Sequence, residues 1–307
     1  MRKPAIVGGR SLTSVIDLFN LSLRSERLSP KTISAYMDAA NMFVAFAEEQ
    51  GFPTEPRAIR REHVEGFLVA CHEKGNSAST VHQRYRSLRR LFEFVVEECN
   101  LEVGPMDRLN PPRLEEKVVK PYSIEQIEAM LAACEGDWMG LRDRALMIVA
   151  YDTGLRRAEL LQLQTTDVHE EKIVVAGKGS KQRTVRMGYQ SLVAVRRYLE
   201  ARPFVTDHLW QAYGGARLGS SGLYLLIRRR AKVAGVPGAD VHRFRHSYAC
   251  DYLLGGGNQY DLQVSLGHGG PQITQLYVRF VQQAHALSDH VLHSPGDRLR
   301  PPRRPRR

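Results

Sequence analysis

Hydrophobic residues return every three or four positions through the first hundred residues of the chain, which is the period of an amphipathic helix. The clearest stretch spans 33–47. Ser29-Pro30 before it is typical of a helix start, because serine caps the first turn and proline fits its first position. Similar patterns predict helices over about 12–24, 61–73 and 79–98. Four helices in succession predict a helical bundle.

This pattern breaks between 101 and 121. Gly104-Pro105 and Asn110-Pro111-Pro112 interrupt it, and a mixture of acidic and basic residues follows over 115–120. Such a composition is typical of a linker. We therefore predict a helical domain over 1–105, a linker over 106–120 and a second domain over 121–293.

The second domain also reads as mostly helical. Ser123 and Gln126 fit a capping box at a helix start. Further helices are predicted over 141–151, from near 156, and over 189–201, 221–234, 241–254, 261–266 and 271–280. An apolar run at 173–176 and the segment Arg183-Thr-Val-Arg-Met187 flank Gly177-Lys-Gly-Ser-Lys181, which predicts a β-hairpin with a basic loop. The predicted fold class is mainly α with a small β-hairpin or sheet.

The charge of the chain favours a polyanionic partner. The 307 residues carry a formal net charge of +11, and the pI is about 9.7, which suits nucleic acid or an acidic membrane face. However, residues 298–307 contain six arginines and no acid, and the rest of the chain carries only +5. Charge alone therefore leaves the partner open. The proline and arginine content predicts that 294–307 is a disordered basic tail.

Cysteine usage and hydropathy indicate a cytoplasmic protein. The four cysteines, Cys71, Cys99, Cys134 and Cys250, form no C-x-x-C pair and are interpreted as reduced thiols. No run of 18 apolar residues is present, and no signal-type apolar segment follows the basic first ten residues. We therefore predict no membrane partner.

Arginines crowd the first half of the predicted helix over 79–98. They are Arg84, Arg86, Arg89 and Arg90, and acidic residues fill the second half of the same helix. A solvated helix face explains this pattern as well as a helix that lies along DNA phosphates does, so both interpretations stay open. The four arginines are candidates for DNA contacts, as are Lys181, Arg183 and Arg243.

Four short segments of the second domain carry candidate chemistry. They are T-G-L-R-R-A-E-L at 153–160, Gly177-Lys-Gly179, His242-Arg-Phe-Arg-His246, and Leu266-Gly-His268 followed by Tyr277. Each alone is weak, because Lys178 could be an ordinary loop lysine and Tyr277 an ordinary core aromatic. His242 and His246 have helical i,i+4 spacing, but the arginines beside them would repel a metal cation. We predict no metal and no cofactor.

Together the segments suit nucleophilic attack on a phosphodiester. Two arginines, Arg156 and Arg245, can hold the charge that gathers on the phosphate oxygens, because a guanidinium offers paired donors and keeps its proton. A lysine on a hairpin loop can give a proton to the leaving oxygen, and histidines can move protons near neutral pH. A tyrosine hydroxyl can act as the nucleophile when nearby cations favour its ionised form.

These segments resemble those of the tyrosine recombinase, or phage integrase, family, most closely its Xer-like and transposon-encoded members. The resemblance spans about 120–280. The family pattern is T-G-L-R-x-x-E-L, a G-K-G hairpin, H-x-L-R-H, L-G-H and a tyrosine nine residues past the last histidine. Here the order and the nine-residue gap from His268 to Tyr277 both agree, and Phe244 replaces the usual leucine.

The resemblance implies a role for each matching residue. Arg156 and Arg245 bind the scissile phosphate. Lys178 is the general acid for the 5′ oxygen, and His242 transfers a proton or contacts the phosphate. His268 hydrogen-bonds the phosphate, and Tyr277 attacks to form a 3′-phosphotyrosyl enzyme. Glu159 orients the arginine or lysine network.

The resemblance also implies an α+β catalytic domain of the DNA breaking-rejoining type and an N-terminal helical domain that clamps double-stranded DNA. Four strand cuts in two duplexes imply a homo- or hetero-tetramer assembled on DNA, without ATP. Val281 to His293 could dock on a neighbouring protomer. The arginine-rich tail departs from the family pattern.

Two other functions compete with recombination in the sequence. A type IB topoisomerase uses the same phosphotyrosine chemistry, and a decayed accessory protein would bind DNA without cutting it. The T-G-L-R-x-x-E-L and L-G-H segments favour a recombinase over the first, and the complete set of candidate residues argues against the second. The sequence leaves open the DNA site and the choice among chromosome-dimer resolution, integration, excision and transposition.

Overall fold

Serine side chains cap the N-termini of three of the N-terminal helices. Ser11, Ser29 and Ser77 each accept a hydrogen bond from the backbone N–H three residues later, a donor that has no partner within the first helical turn. The computed structural model describes residues 11–114, 120–134, 136–176 and 182–299. The four predicted N-terminal helices are α1, Leu12–Ser25, α2, Pro30–Glu49, α3, Arg61–Glu73, and α4, Ala78–Glu98.

Aromatic side chains join three of these helices into one core. The ring of Phe43 on α2 meets Phe67 on α3 and Phe92 on α4 edge to face, with centroids 5.6 Å and 5.4 Å apart. Edge-to-face contact is a favourable geometry for aromatic pairs. The apolar stripe of α4 is therefore buried, and this leaves its arginines on the outer part of the helix.

Part of the predicted linker packs on this N-terminal core. Met106 and Leu109 are buried there, and the Tyr85 hydroxyl donates a hydrogen bond to the backbone oxygen of Leu109 over 2.6 Å. This stretch is rich in glycine and proline, but its two apolar side chains, Met106 and Leu109, favour packing against the core. The chain divides into two compact units, Met1–Lys117 and Val118–Arg307. The functional division of the chain into domains stays a prediction.

The second unit contains the remaining helices. They are α5, Ile124–Ala132, α6, Trp138–Thr153, α7, Arg157–Gln162, α8, Tyr189–Ala201, α9, Ser220–Val233, α10, Val241–Leu254, α11, Gln259–Leu266, and α12, Pro271–His293. The capping box at Ser123 and Gln126 is present. The start of α6 is earlier than predicted because the Asp137 carboxylate caps it. Within the described ranges, no helix is both long and apolar enough to cross a bilayer.

The predicted hairpin is present and gains a third short strand. Strands β1, Val168–His169, β2, Lys172–Ala176, and β3, Gln182–Arg186, form an antiparallel sheet in the order β1-β2-β3. One face of the sheet is buried through Ile173, Val175 and Val185. A two-residue strand has no alternation to detect, so the sequence did not predict β1. The hairpin loop at 177–181 lies outside the described residues.

A small hydrophobic cluster holds the last three helices together. It contains Ala249, Cys250, Leu262, Leu266, Tyr277 and Val281. These residues come from α10, α11 and α12, so the cluster determines where the candidate tyrosine lies relative to the histidine- and arginine-bearing helix. A separate and larger cluster forms the main core of this unit.

The prediction that the last helix ends at 280 is wrong. Helix α12 continues to His293. Residues 281–293 contain neither glycine nor proline, and the first proline beyond them is Pro295, so nothing in the chain ends the helix earlier. Beyond it, Gly296–Arg298 forms a 3-10 turn at the start of the segment predicted to be disordered. Residues 300–307 of that segment lie outside the described residues.

Candidate active site

Two glycines end helices at the candidate site with left-handed backbone. Gly154 follows α6 with φ of 58°, and Gly267 follows α11 with φ of 62°. Glycine adopts this conformation without the strain that a Cβ causes. At Gly154 space is also lacking, because a Cβ there would lie 2.8 Å from Leu266 and closer still to the ring of Tyr248. The glycines of the T-G-L-R and L-G-H segments therefore form the two turns that carry Arg156 and His268.

Three arginines donate to three successive backbone carbonyls at the end of α11, which we call the carbonyl row. The bonds are Arg183 Nε to Ser265 O at 2.8 Å, Arg245 Nη2 to Leu266 O at 2.9 Å, and Arg156 Nη2 to Gly267 O at 2.6 Å. The last carbonyls of a helix have no partner within it, and the helix end carries partial negative charge. The row therefore orients cationic side chains from three separate elements.

Arg245 is the most buried of these arginines, with an exposed fraction of 2%. Its Nη1 also donates to the backbone oxygen of Gly154 over 2.7 Å, so both ends of the guanidinium are fixed. Burial, followed by the charge of Arg156, lowers the pKa of Arg245 to about 10. The group keeps its proton at neutral pH, and the bonds to these two carbonyls use two of its five N–H donors. It can therefore act as a fixed cation beside a phosphate.

Glu159 lies between two arginines. Its carboxylate accepts Nη1 and Nη2 of Arg183 at 2.9 Å and 2.8 Å, and it also accepts the backbone N–H and Nη1 of Arg156 at 2.8 Å and 2.9 Å. Burial would raise the pKa of Glu159, but the hydrogen bonds from Arg183 and from the Arg156 backbone outweigh it and hold the pKa at about 2. The carboxylate is ionised and anchors both guanidinium groups.

Tyr277 on α12 is a buried phenol with an exposed fraction of 2%. A hydrogen bond of 2.9 Å joins its hydroxyl to Nδ1 of His246. Burial raises the pKa of Tyr277, while the charges of Arg245 and Arg156 act in the opposite direction. The neutral phenol is therefore the resting form, and the cations that would favour its ionised form are already in range.

His268 lies beside the same phenol. Its ring is nearly parallel to that of Tyr277, with centroids 6.3 Å apart, and Nδ1 is 2.8 Å from the Thr274 hydroxyl. Burial, and then the charges of Arg245 and Arg156, lower the pKa of His268 to about 4. At neutral pH the ring is uncharged, so it can serve as a hydrogen-bonding group rather than as a cation.

The structure brings together five of the six predicted catalytic residues. Arg156, Arg245, His268 and Tyr277 are linked by the contacts above. His242 is exposed, and its ring contacts that of His246, with centroids 4.7 Å apart. The sixth, Lys178, lies outside the described residues, as does Lys181. The loop that bears both lysines begins and ends on β2 and β3, and Arg183 ties the start of β3 to the carbonyl row.

Two of the predicted DNA-contact residues, Arg183 and Arg243, have partners within the protein, and their role in DNA contact stays a prediction. Arg183 has the bonds to Glu159 and Ser265 described above. Arg243 lies over the ring of Tyr122 at 4.1 Å and donates to the backbone oxygens of Lys120 and Pro237. These contacts give both arginines structural tasks that a charge pattern in the sequence does not distinguish from DNA contacts.

The four arginines of α4 differ in their surroundings. Arg89 pairs with Glu93 at 3.2 Å, one helical turn along, and Arg90 pairs with Glu26 at 2.5 Å. Arg84 is half-buried and Arg86 is exposed. The two interpretations of this surface therefore still stand, and Arg86 is the member best placed to test them.

Sequence reasoning missed His246 as a site residue. It is the last residue of the His242-Arg-Phe-Arg-His246 segment, and its place four positions after His242 put it on the same helix face. That spacing was a usable signal. The partner on α12 was not visible in the sequence, because only the packing of α10 against α12 brings Tyr277 to it.

Family models match both units of the chain. The model described as "Phage integrase family" matches residues 123–283, which is more than half of the chain, and the model described as "Phage integrase, N-terminal SAM-like domain" matches residues 15–99. The chain belongs to the phage integrase family. The match includes the whole arrangement around Tyr277, and this chain is accordingly a tyrosine recombinase.

Relatives of this recombinase are similar over nearly their whole length. Tyrosine recombinase XerC of Natranaerobius thermophilus is 30% identical over 298 residues, which cover 92% of this chain and 98% of the relative. Tyrosine recombinase XerD of Listeria monocytogenes is 29% identical over 272 residues, covering 85% and 92%. These proteins support the predicted fold class and enzyme class together.

Solved structures share the fold of this recombinase. A XerH site-specific recombinase bound to palindromic difH substrate aligns with a TM-score of 0.73 at 19% identity, covering 92% of this chain and 85% of that chain. A lambda integrase dimer bound to a COC′ core site aligns with a TM-score of 0.71 at 16% identity, covering 86% and 97%. At this identity the likeness establishes the fold: an N-terminal helical domain and a mainly helical catalytic domain with a small sheet.

Proposed function

We propose that this recombinase cuts and rejoins double-stranded DNA at a specific site through a covalent bond between Tyr277 and a 3′ phosphate. One observation carries the proposal: the Tyr277 hydroxyl lies in the same unit as the arginines, hydrogen-bonded to His246 and within the field of Arg245 and Arg156. A nucleophile surrounded by fixed cations is suited to attack on a phosphodiester. The hydrogen-bond donors that stabilise the negative charge of the transition state are then already in place.

Each proposed role follows from the chemistry of the side chain. Arg245 and Arg156 hold the nonbridging oxygens, since the carbonyl row fixes one end of each guanidinium and leaves further donors for the phosphate. His268 is a neutral hydrogen-bond partner, in keeping with its lowered pKa. Lys178 gives a proton to the leaving 5′ oxygen, as the family resemblance implies. Glu159 keeps Arg156 in place.

The phosphotyrosyl bond retains the free energy of the broken phosphodiester. A 5′ hydroxyl of a second strand can therefore reseal the break without ATP. Exchange of two duplexes requires four such cuts, so we propose a homo- or hetero-tetramer on DNA. A lambda integrase tetramer bound to a Holliday junction supports this assembly. We assign DNA clamping to the N-terminal unit and strand chemistry to the second. The products would serve integration, excision or resolution.

Trapping of the covalent intermediate tests this function. The probe is a pool of nicked duplexes in which about one helical turn (~10 base pairs) beside the nick is randomised. The nick lets the cut fragment diffuse away, so a denaturing wash leaves only DNA attached to protein. Sequencing of the captured DNA then reports the preferred site. We expect an adduct with the unchanged chain and none with Tyr277→Phe, which should still bind DNA.

Tyr248→Phe is the matched control, because Tyr248 is a half-buried phenol of the same helical cluster, hydrogen-bonded to Ser265 Oγ rather than to His246. It should form the adduct. An adduct with Tyr277→Phe would place the nucleophile elsewhere. Relaxation of supercoils without site preference would indicate a topoisomerase instead, and binding without any adduct would indicate an accessory protein.

A further inference from the structure

The proton of the Tyr277 hydroxyl needs an acceptor when the oxygen attacks phosphorus. The phenol is buried, with 2% of its surface exposed, so bulk water has little access to it. The groups around the oxygen are mostly cations. Arg245 and Arg156 stabilise negative charge there, but a guanidinium has no lone pair with which to accept a proton. Among the described residues, the imidazoles near Tyr277 are groups that can accept this proton, because a neutral ring nitrogen carries a lone pair.

The geometry separates the three imidazoles. Nδ1 of His246 lies 2.9 Å from the Tyr277 oxygen, within hydrogen-bonding distance. His268 is stacked face to face with the tyrosine at 6.3 Å between centroids, and its Nδ1 is engaged by the Thr274 hydroxyl. The ring of His242 contacts that of His246, with centroids 4.7 Å apart. His246 therefore has the ring nitrogen that is hydrogen-bonded to the reacting hydroxyl.

We propose that His246 is a catalytic residue that takes the Tyr277 proton during cleavage and returns it during rejoining. This proposal rests on the function proposed above. In cleavage, the Oη–H bond breaks, the proton moves to His246 Nδ1, Oη bonds to phosphorus, and the P–O5′ bond breaks as the 5′ oxygen takes a proton from the general acid. Rejoining reverses each change, so Oη recovers its proton from His246 as it leaves phosphorus. The cycle needs no other reactant.

Several charged or titratable groups face this proton transfer. His242 meets His246 from one turn earlier on α10. Tyr277 meets it from α12, and the ring of His268 contacts the same phenol. Arg245 and Arg156 act on the same oxygen. The two arginines disfavour a further positive charge in the site, whereas the bound phosphate favours it, so the transfer is tied to the presence of DNA.

The test compares two substitutions of His246 in the full chain. In His246→Asn the side-chain amide reaches about the position of Nδ1, so it keeps a hydrogen bond to Tyr277 but cannot take up a proton. In His246→Ala the bond and the acceptor are both lost. The substrate is the nicked duplex enriched in the trapping experiment, and the readout is the single-turnover rate of adduct formation as a function of pH. His169→Asn, an exposed histidine on β1, is the control.

We expect both variants to bind DNA as the unchanged chain does. We expect their cleavage rates to be lower by a factor of about 10² or more, since that is the usual effect of losing a general base. The unchanged chain should reach a rate plateau once His246 is neutral, and His169→Asn should match it. His246→Asn should lose the plateau and accelerate with every rise in pH. Added imidazole should speed up His246→Ala.

Two results overturn the proposal. If His246→Asn cleaves within a few-fold of the unchanged chain with the same pH profile, His246 only positions the phenol, while the recombinase function stands. If the unchanged chain forms no adduct, both proposals fall. If His246→Ala does not fold, the cleavage rate and pH profile of His246→Asn alone test the proposal, because the asparagine side chain fills most of the space of the histidine.

Discussion

Both terminal nitrogens of Arg183 donate hydrogen bonds to the Glu159 carboxylate, at 2.9 Å and 2.8 Å, and Nη1 of Arg156 donates to the same carboxylate. Both partners of the first pair are largely buried, with exposed side-chain fractions of 15% and 9%. A buried ion pair of this kind resists removal of one partner, because the remaining charge is left without compensation. Arg183 thereby links the hairpin strand β3 to the helix that begins after Arg156.

Arg183→Ala should therefore destabilise the catalytic unit by about 3 kcal/mol or more. Chemical unfolding of the full chain, followed by circular dichroism, measures the change. Arg186→Ala on the same strand is the matched control, because Arg186 pairs with Glu171 at the surface with 77% of its side chain exposed. Its loss should cost less than about 1 kcal/mol. Equal effects of the two substitutions would contradict the importance of the Glu159 pair.

Arg183→Lys provides a separate test of positioning. A lysine keeps the positive charge but cannot hold both carboxylate oxygens and the Ser265 carbonyl at once. We expect Arg156 to lose its fixed orientation, so the rate of adduct formation should fall by about tenfold or more while DNA affinity changes little. An unchanged rate would mean that charge alone is sufficient at this position.

The two arginines proposed to bind the phosphate, Arg156 and Arg245, should affect the chemical step far more than binding. Arg245→Ala removes a buried cation aimed at the site, and loss of one such donor reduces the rate by about 10²–10³-fold. Arg156→Ala should have an effect of the same order. Single-turnover cleavage rates and filter-binding affinities, measured side by side, check the expectation. Full cleavage by either variant would remove that arginine from the proposed clamp.

Acid should weaken the catalytic unit partly through His268. Burial and the nearby arginines lower its pKa from 6.5 to about 4, so between these values the unfolded chain binds a proton that the folded chain does not. Its contribution to stability is present above pH 6.5, is lost as the pH falls to about 4, and is limited to about 3 kcal/mol. His268→Gln should lose less stability over this window than the unchanged chain. Unfolding curves at several pH values measure this difference.

The left-handed turn at Gly154 should not accept a side chain. Gly154→Ala places a Cβ against Tyr248 and Leu266, so backbone strain is joined by a steric clash. We expect a loss of about 2–4 kcal/mol in unfolding free energy. Gly235→Ala is the control, because Gly235 has a similar φ of 68° with nothing within 4 Å of its Cβ position. The control should cost only about 1 kcal/mol.

Salt dependence of DNA binding can decide between the two interpretations of the α4 arginines. If Arg86 contacts a phosphate, Arg86→Ala should reduce the slope of log affinity against log salt by about one. Arg24→Ala, at an exposed position of α1, is the comparison. A slope that is unchanged in Arg86→Ala would favour a solvated helix face.

Local signals in the sequence determined most of the secondary structure and most of the candidate site. Ser29 and Ser123 marked helix starts because a cap is a contact within a few residues. The order and spacing of the segments around Arg156, Arg245 and Tyr277 indicated the family, because they preserve a chemistry that tolerates few substitutions. The end of α12 was missed because its apolar pattern weakens after 280 although the helix propensity does not.

Only the tertiary structure decided which side chains share a partner. The sequence cannot show that three arginines from distant segments meet the carbonyl row at the end of α11, or that Arg183 turns inward to Glu159. It also cannot show that His246 is hydrogen-bonded to the Tyr277 hydroxyl. These contacts join residues 21 to 111 positions apart, and they depend on how α10, α11 and α12 pack, which no local pattern encodes.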